Sequence, residues 1–343
     1  MKRAVPLLLL AATLAAAALL AVGSPEPGPR VAELSLVALG DTGRPNAGPF
    51  HELRGQYKVA RAIEAEDARA AIDGIVLLGD NFYPDGLEEK RLKDRLRENV
   101  VGPYCRFLGF TSRGRGAFED DCALGGPRRP PIPFYVVLGN HDYKTQGSER
   151  LQKEVVPTYL SSWRMPDSIG LEELPGGVSL IPYHSMPMVE GRKAAGLIKA
   201  LRRSKGPWRI LAAHHPIADP GKGYSKGYAR RVREAIAASG VPVHLFLAGH
   251  EHNLQLIAGE GPDDAALHVI VGGGSDTRSV RPTDRRRLYA EKALGFARID
   301  AHGRGEAARL EVTLFRVSAR PGVAATVAAR YEVRPDRSVA ALR

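Results

Sequence analysis

The chain has 343 residues, 44% of them hydrophobic and 25% charged, which is the composition of a folded globular protein and excludes a largely disordered or repetitive one. Its formal net charge of +11 favours an anionic partner. The 49 basic residues nevertheless fall in short, scattered clusters such as Arg230-Arg231 and Arg285-Arg286-Arg287 without aromatic interleaving, which argues against nucleic-acid binding.

In chain order, Met1-Lys2-Arg3 precedes an uncharged apolar run from Ala4 to Val22, with small residues around Ala21-Val22-Gly23. That pattern predicts an export signal over 1–23, with an uncleaved membrane anchor as the alternative. A Pro-rich linker, 24–33, follows. The rest reads as one layered domain, 34–335, with a short tail, 336–343. Cys105 and Cys122 are the only cysteines; export permits a disulfide between them, and two unrelated thiols fit the sequence equally well.

Five β-rich runs each end in a polar turn: Leu34–Leu39 before Gly40-Asp41, Gly74–Leu78 before Gly79-Asp80, Phe134–Leu138 before Gly139-Asn140, Trp208–Ala213 before His214, and Val243–Ala248 before Gly249-His250. Helical spacing separates them, in Leu53, Tyr57, Ala60 and Ile63, in Leu197, Ile198 and Leu201, and in Tyr228, Val232 and Ile236. Strands alternating with helices imply an α/β core that collects ligands beyond its strand ends. After His252 the pattern turns to strands, Leu267–Val271, Phe296–Ile299, Leu310–Val317 and Ala325–Val333, which suggests a second, antiparallel sheet. Thr111–Pro133, rich in Gly, Pro and Arg, is expected to be a long surface loop.

The strand ends supply Asp41-Thr42-Gly43, Asp80-Asn81-Phe82-Tyr83, Asn140-His141-Asp142, His214-His215-Pro216 and His250-Glu251-His252-Asn253. One Asp after a strand is usually a cap, and one His usually a hydrogen-bonded residue. Together they offer carboxylate, amide, phenol and imidazole donors from one sheet edge, enough to surround two cations about 3.5–4 Å apart. A phenol among the donors favours a strongly acidic cation such as ferric iron, because free tyrosine ionises only near pH 10.

These motifs, in this order, resemble the calcineurin-like metallophosphoesterases, and within them the small purple, or tartrate-resistant, acid phosphatases. The likeness runs from about Leu34 to Val333. It extends to Asn46-Ala47-Gly48-Pro49-Phe50, Asn253-Leu254-Gln255, Gly272-Gly273-Gly274 and Gly295-Phe296-Ala297. Most of the superfamily has a His where this chain has Gly43, whereas purple acid phosphatases replace that ligand by a tyrosine, here Tyr83.

The resemblance implies an α/β (α+β) fold, a layered β-sandwich of two mixed sheets flanked by helices. It also implies a ligand set. Asp41, Tyr83 and His252 would bind Fe(III), Asp80 would bridge, and Asn140, His214 and His250 would bind Fe(II), Zn or Mn. His141 would contact phosphate or protonate the leaving alcohol, with Asp142 orienting its ring. Asn81 and Lys222 are further candidates for substrate contact; the loop around Lys222 lacks a second His found in animal relatives.

The implied reaction is hydrolysis of phosphate monoesters by attack of a metal-bound hydroxide. A phosphodiesterase or nucleotidase with the same site, or a noncatalytic metal-binding protein of the same fold, are the alternatives. A monomeric periplasmic or secreted protein is expected, acting on a small phosphorylated substrate, with membrane attachment only if the N-terminal segment is retained.

Overall fold

A computed structural model describes residues 28, 30–44, 53–122, 129–218, 225–281, 286–303, 305–320 and 323–342. The expected export signal, half of the linker, the 46–50 motif, Lys222 and Arg285 lie outside the described residues. Among the described residues no helix is long and apolar enough to cross a membrane.

The first sheet contains β1 (Leu34–Leu39), β2 (Gly74–Leu78), β3 (Phe134–Val137) and β4 (Trp163–Arg164), continued by β12 (Leu294–His302), β13 (Arg309–Val317), β14 (Thr326–Val333) and β15 (Val339–Ala341). Its order is β15-β14-β13-β12-β1-β2-β3-β4. The pairs β1–β2, β2–β3 and β3–β4 are parallel, and β1 meets β12 antiparallel with Leu36 opposite Ile299.

The second sheet contains β5 (Glu172–Leu174), β6 (Val178–Pro182), β7 (Trp208–Ala212), β8 (Val243–Ala248), β9 (Leu254–Ala258), β10 (Ala265–Val271) and β11 (Arg287–Glu291), in the order β11-β9-β10-β8-β7-β6-β5. Strands β6, β7, β8 and β10 run parallel.

Strand alternation explains why the sequence shows runs of unbroken hydrophobicity. In β1, Leu34, Leu36 and Ala38 enter the layer between the sheets, where they meet Val76, Leu78, Ile210, Leu245 and Leu247. Val37 and Leu39 point the other way, to a layer sealed by Val59, Ala60 and Ile63 of the helix Gly55–Arg69. On the far side, Leu197 and Leu201 of the helix Ala195–Arg203 and Tyr228, Val232 and Ile236 of the helix Ser225–Ser239 cover the second sheet. The central strands β1, β2, β3, β7 and β8 are thus buried on two faces, as parallel strands require.

Four local expectations give way to this arrangement. The strands after His252 do not form a separate antiparallel sheet: β12 to β15 extend the first and β9 to β11 the second, because every open strand edge is best closed by another strand. Within Thr111–Pro133, residues Ser112–Cys122 are helical, held by buried Phe118 and by a Cys105–Cys122 disulfide with Cα atoms 5.7 Å apart. The expected tail carries β15, paired with β14 at Val339 and Val333. Leu53 precedes the helix that starts at Gly55 and is 51% exposed, so it does not share the apolar face.

Candidate metal centre

Strands β1, β2 and β3 of the first sheet and β7 and β8 of the second end on the same side, each running into one of the five polar turns. Backbone bonds stitch those turns together. Asp41 N–H donates to Gly79 O at 3.0 Å, Gly249 N–H to His214 O at 3.0 Å, and Gly40 N–H to Val271 O at 2.8 Å.

The first and second turns pack so closely that a Cβ on Gly43 would fall on the Asn81–Phe82 peptide. Gly43 is required for space, and no imidazole fits there. The vacated ligand position is filled from the neighbouring turn. Tyr83 N–H donates to Gly43 O at 2.8 Å, and its ring turns inward beside Asp41.

Among the described residues five non-glycine residues have positive φ: Asp41 (60°), Asp80 (53°), His250 (70°), His252 (41°) and Arg337 (69°). Four of the five are candidate ligands. Such conformations cost roughly 1–2 kcal/mol each and persist where surrounding structure imposes them, typically at functional sites.

The donors converge in two groups. Tyr83 Oη donates to Asp41 Oδ1 at 2.8 Å and lies 2.9 Å from His252 Nε2, which is itself 3.0 Å from Asp41 Oδ1. In the second group His214 Nε2 is 3.1 Å from Asn140 Oδ1 and 3.1 Å from His250 Nδ1. Asp80 stands between them, in hydrogen-bond contact with Tyr83 and with Oδ1 3.5 Å from His214 Nε2. A carbonyl can only accept, so the 2.8 Å contact from His214 Nδ1 to Leu78 O puts the proton on Nδ1 and leaves Nε2 as a lone-pair donor.

The donor set fits cations. Burial, and then the charges of Asp41 and Asp80, push the Tyr83 phenol far above its ordinary range; a bound cation of high charge would reverse that balance. Burial would raise Asp41, but its hydrogen bond with His252 and the charges of His252, His214 and His250 bring it down to about 2. Burial, with the charge of His214, holds His250 down at about 3, so that imidazole is a neutral ligand at ordinary pH. The buried His252 Nδ1 has no hydrogen-bond partner among the described residues.

All seven candidate ligands are therefore brought together. His141 stands beside them, its backbone N–H donating to Asp80 Oδ1 at 2.8 Å and its ring centroid 4.4 Å from that of Tyr83. Its Nδ1–H donates to Pro84 O, which also accepts from Lys144 Nζ at 3.2 Å.

Two expected roles change. Asp142 does not orient the His141 ring. Its buried carboxylate accepts from the backbone N–H groups of Asn81 and Phe82 at 3.1 Å and Gly139 at 2.9 Å, and from Gln152 Nε2 at 3.0 Å, tying the second turn to the third. Asn81 is not a substrate contact either, since its amide nitrogen is spent on Val137 O at 2.9 Å and Gln152 Oε1 at 3.1 Å.

Sequence reasoning missed Lys144 and Arg95. Lys144 has a signal, three residues beyond His141 in a short helical turn. Buried Arg95 donates to Gly43 O at 3.0 Å and Tyr83 O at 2.9 Å, and nothing in its charged surroundings distinguishes it from a surface residue.

Residues 34–254 match the model of the calcineurin-like phosphoesterase family. The chain is similar to tartrate-resistant acid phosphatase type 5 of Rattus norvegicus, 28% identical over 71% of this chain and 72% of that protein. Purple acid phosphatase 7 of Arabidopsis thaliana is 24% identical over 74% and 75%. Among solved structures, the fold is similar to the purple acid phosphatase PPD1 of yellow lupin (Lupinus luteus), with a TM-score of 0.61 at 15% identity. That likeness covers 91% of this chain and 55% of the lupin chain. PhoD superposes with a TM-score of 0.57 at 12% identity over 92% of this chain and 73% of that one. The family match runs from the first strand through the last imidazole donor, taking in the whole donor set, and the chain belongs to the calcineurin-like phosphoesterase family.

Proposed function

We propose that this chain is an exported phosphatase that hydrolyses phosphate monoesters at a pair of metal ions. The observation that carries the reading is the convergence of two donor groups on either side of Asp80. Asp41, Tyr83 and His252 would hold one cation and Asn140, His214 and His250 the other. The phenol makes ferric iron the fitting choice for the first site and iron, zinc or manganese for the second. Bound there, the cations supply Lewis-acid polarisation of phosphoryl oxygens and acidify water.

The remaining groups define what the protein itself contributes. With Nδ1–H given to Pro84, His141 leaves Nε2 free for substrate, an acceptor in the neutral ring and a proton donor to the leaving alcohol in the imidazolium form. Lys144, 2.9 Å from His141 Nδ1, adds positive charge at the same rim, and the net charge of +11 favours an anionic substrate. The names of the acid phosphatases to which the chain is similar agree with this chemistry.

Export is supported by the apolar segment Ala4–Val22 and by the Cys105–Cys122 disulfide, which persists in oxidising compartments such as the periplasm or the extracellular medium. Metal-loaded protein is expected to hydrolyse aryl phosphates faster than bis-aryl phosphates, with Asp80→Asn removing bound metal and activity together. Turnover of diesters alone would overturn the monoesterase reading, and two bound metals without hydrolysis would overturn the enzyme.

A further inference from the structure

Behind the imidazole half of the site runs a row of buried hydroxyls that the ligand set does not use. Tyr183, Ser185 and Tyr228 are fully buried and His215 is 2% exposed. Tyr183 Oη lies 2.6 Å from Tyr228 Oη, Tyr228 bonds Ser185, and Ser185 Oγ lies 2.8 Å from His215 Nδ1 while accepting the His215 backbone N–H at 3.3 Å.

A buried donor without an acceptor is costly, and this fixes the direction of the row. Tyr183 has Tyr228 as its side-chain hydrogen-bond partner among the described residues, so its proton goes to Tyr228 Oη. The Tyr228 proton then goes to Ser185. Ser185, with both lone pairs occupied by Tyr228 and the His215 N–H, gives its own proton to His215 Nδ1. The opposite polarity would strand the Tyr183 proton in the core. His215 consequently carries its own proton on Nε2.

That tautomer matters because of where the ring is. Its centroid is 4.8 Å from that of His214 and 4.7 Å from that of His250, and one of its ring nitrogens lies within 4.8 Å of a nitrogen of each. Three imidazoles are within reach of one cation, while the sequence resemblance uses two of them.

We propose that the Tyr183–Tyr228–Ser185 relay is a positioning device that keeps His215 out of the coordination set, by holding it as a hydrogen-bond donor beside His214 and His250. Asn140, His214, His250 and Asp80 would then hold the second cation, without a third imidazole that would compete with the phosphate. The inference rests on the two-metal reading above.

Cobalt(II) loading of the full-length protein tests it, because cobalt's visible absorption weakens as ligands are added. Wild type, Ser185→Ala and Tyr228→Phe are expected to bind equal amounts of cobalt. Both variants should absorb more weakly, and kcat should fall about 10-fold or more with KM changed less than twofold. Adding His215→Phe to Ser185→Ala should restore the wild-type spectrum. An unchanged spectrum in both single variants, or a double variant that stays perturbed, overturns the relay while leaving the two-metal reading intact. A wild type that binds fewer than two cobalt ions overturns both.

Discussion

Replacing Gly43 by alanine adds one methyl group at the point where the first and second metal-bearing turns touch. φ at Gly43 lies outside the left-handed region, so the effect is one of space alone. To admit a Cβ, the turns must part by roughly 1 Å, a typical overpacking displacement that costs about 1–3 kcal/mol. The movement also strains three hydrogen bonds at Gly43, its N–H to Asp80 O at 3.1 Å and its carbonyl to Tyr83 N–H at 2.8 Å and Arg95 Nη2 at 3.0 Å. At about 1 kcal/mol each, the total destabilisation is roughly 4–6 kcal/mol. Asp41 would shift against Asp80 by a similar distance, and misplacement on that scale costs about 100-fold in rate. Thermal unfolding and steady-state hydrolysis of an aryl phosphate read the two effects separately. A variant within about 1 kcal/mol of wild-type stability and twofold of its kcat would refute the packing argument.

Tyr83→Phe keeps the ring that packs on His141 and removes the hydroxyl 2.8 Å from Asp41. If the first cation is ferric, wild type should show a phenolate charge-transfer band in the visible spectrum and the variant should lose it. A colourless wild type of full activity would exclude ferric iron at Tyr83. Cys105→Ser with Cys122→Ala opens a link between residues 17 apart and is expected to lower stability by about 3 kcal/mol while leaving kcat unchanged, as calorimetry and kinetics would show. Asp264 is a pH prediction. Burial opposes its ionisation, but the hydrogen bond and charge of His268, and then Arg233, outweigh it and depress its folded-state pKa. Its contribution is therefore present above the unfolded carboxylate value of about 3.9 and lost as pH falls below it. Asp264→Asn should lower stability at pH 7 and narrow the gap between pH 7 and pH 3; a gap equal to wild type would contradict it.

The candidate site was more legible in the sequence than the sheet topology. Ligands at strand ends leave a local mark, a hydrophobic run broken by Gly-Asp, Gly-Asn or Gly-His, and each mark can be read without knowing what pairs with what. Strand partners leave none. β1 lies beside β12, more than 250 residues away in sequence, because Leu36 and Ile299 are opposite one another in the register, and neither residue announces it. The helix Ser112–Cys122 was hidden by two glycines and a high Arg content, yet Phe118 and Cys122 give it a buried anchor that outweighs poor propensity. Asp142 illustrates a different limit. The family resemblance implied that it orients the His141 ring, whereas the tight turn sends the two side chains apart, one to Pro84 and one to the backbone of the second turn.

The positive φ angles of Asp41, Asp80, His250 and His252 bear on how such a site arises and is kept. At about 1–2 kcal/mol each, the four impose roughly 4–8 kcal/mol of backbone strain that the packed sheets must absorb before any cation arrives. The residues that make the site are then a standing load on the metal-free protein, and glycine at any of them would relieve part of it. Drift would favour that relief wherever catalysis ceased to be selected. A metal-free Asp80→Gly protein that melts above the metal-free wild type would reveal the load directly. Transplanting the five motifs to another scaffold would require strand edges stiff enough to carry it.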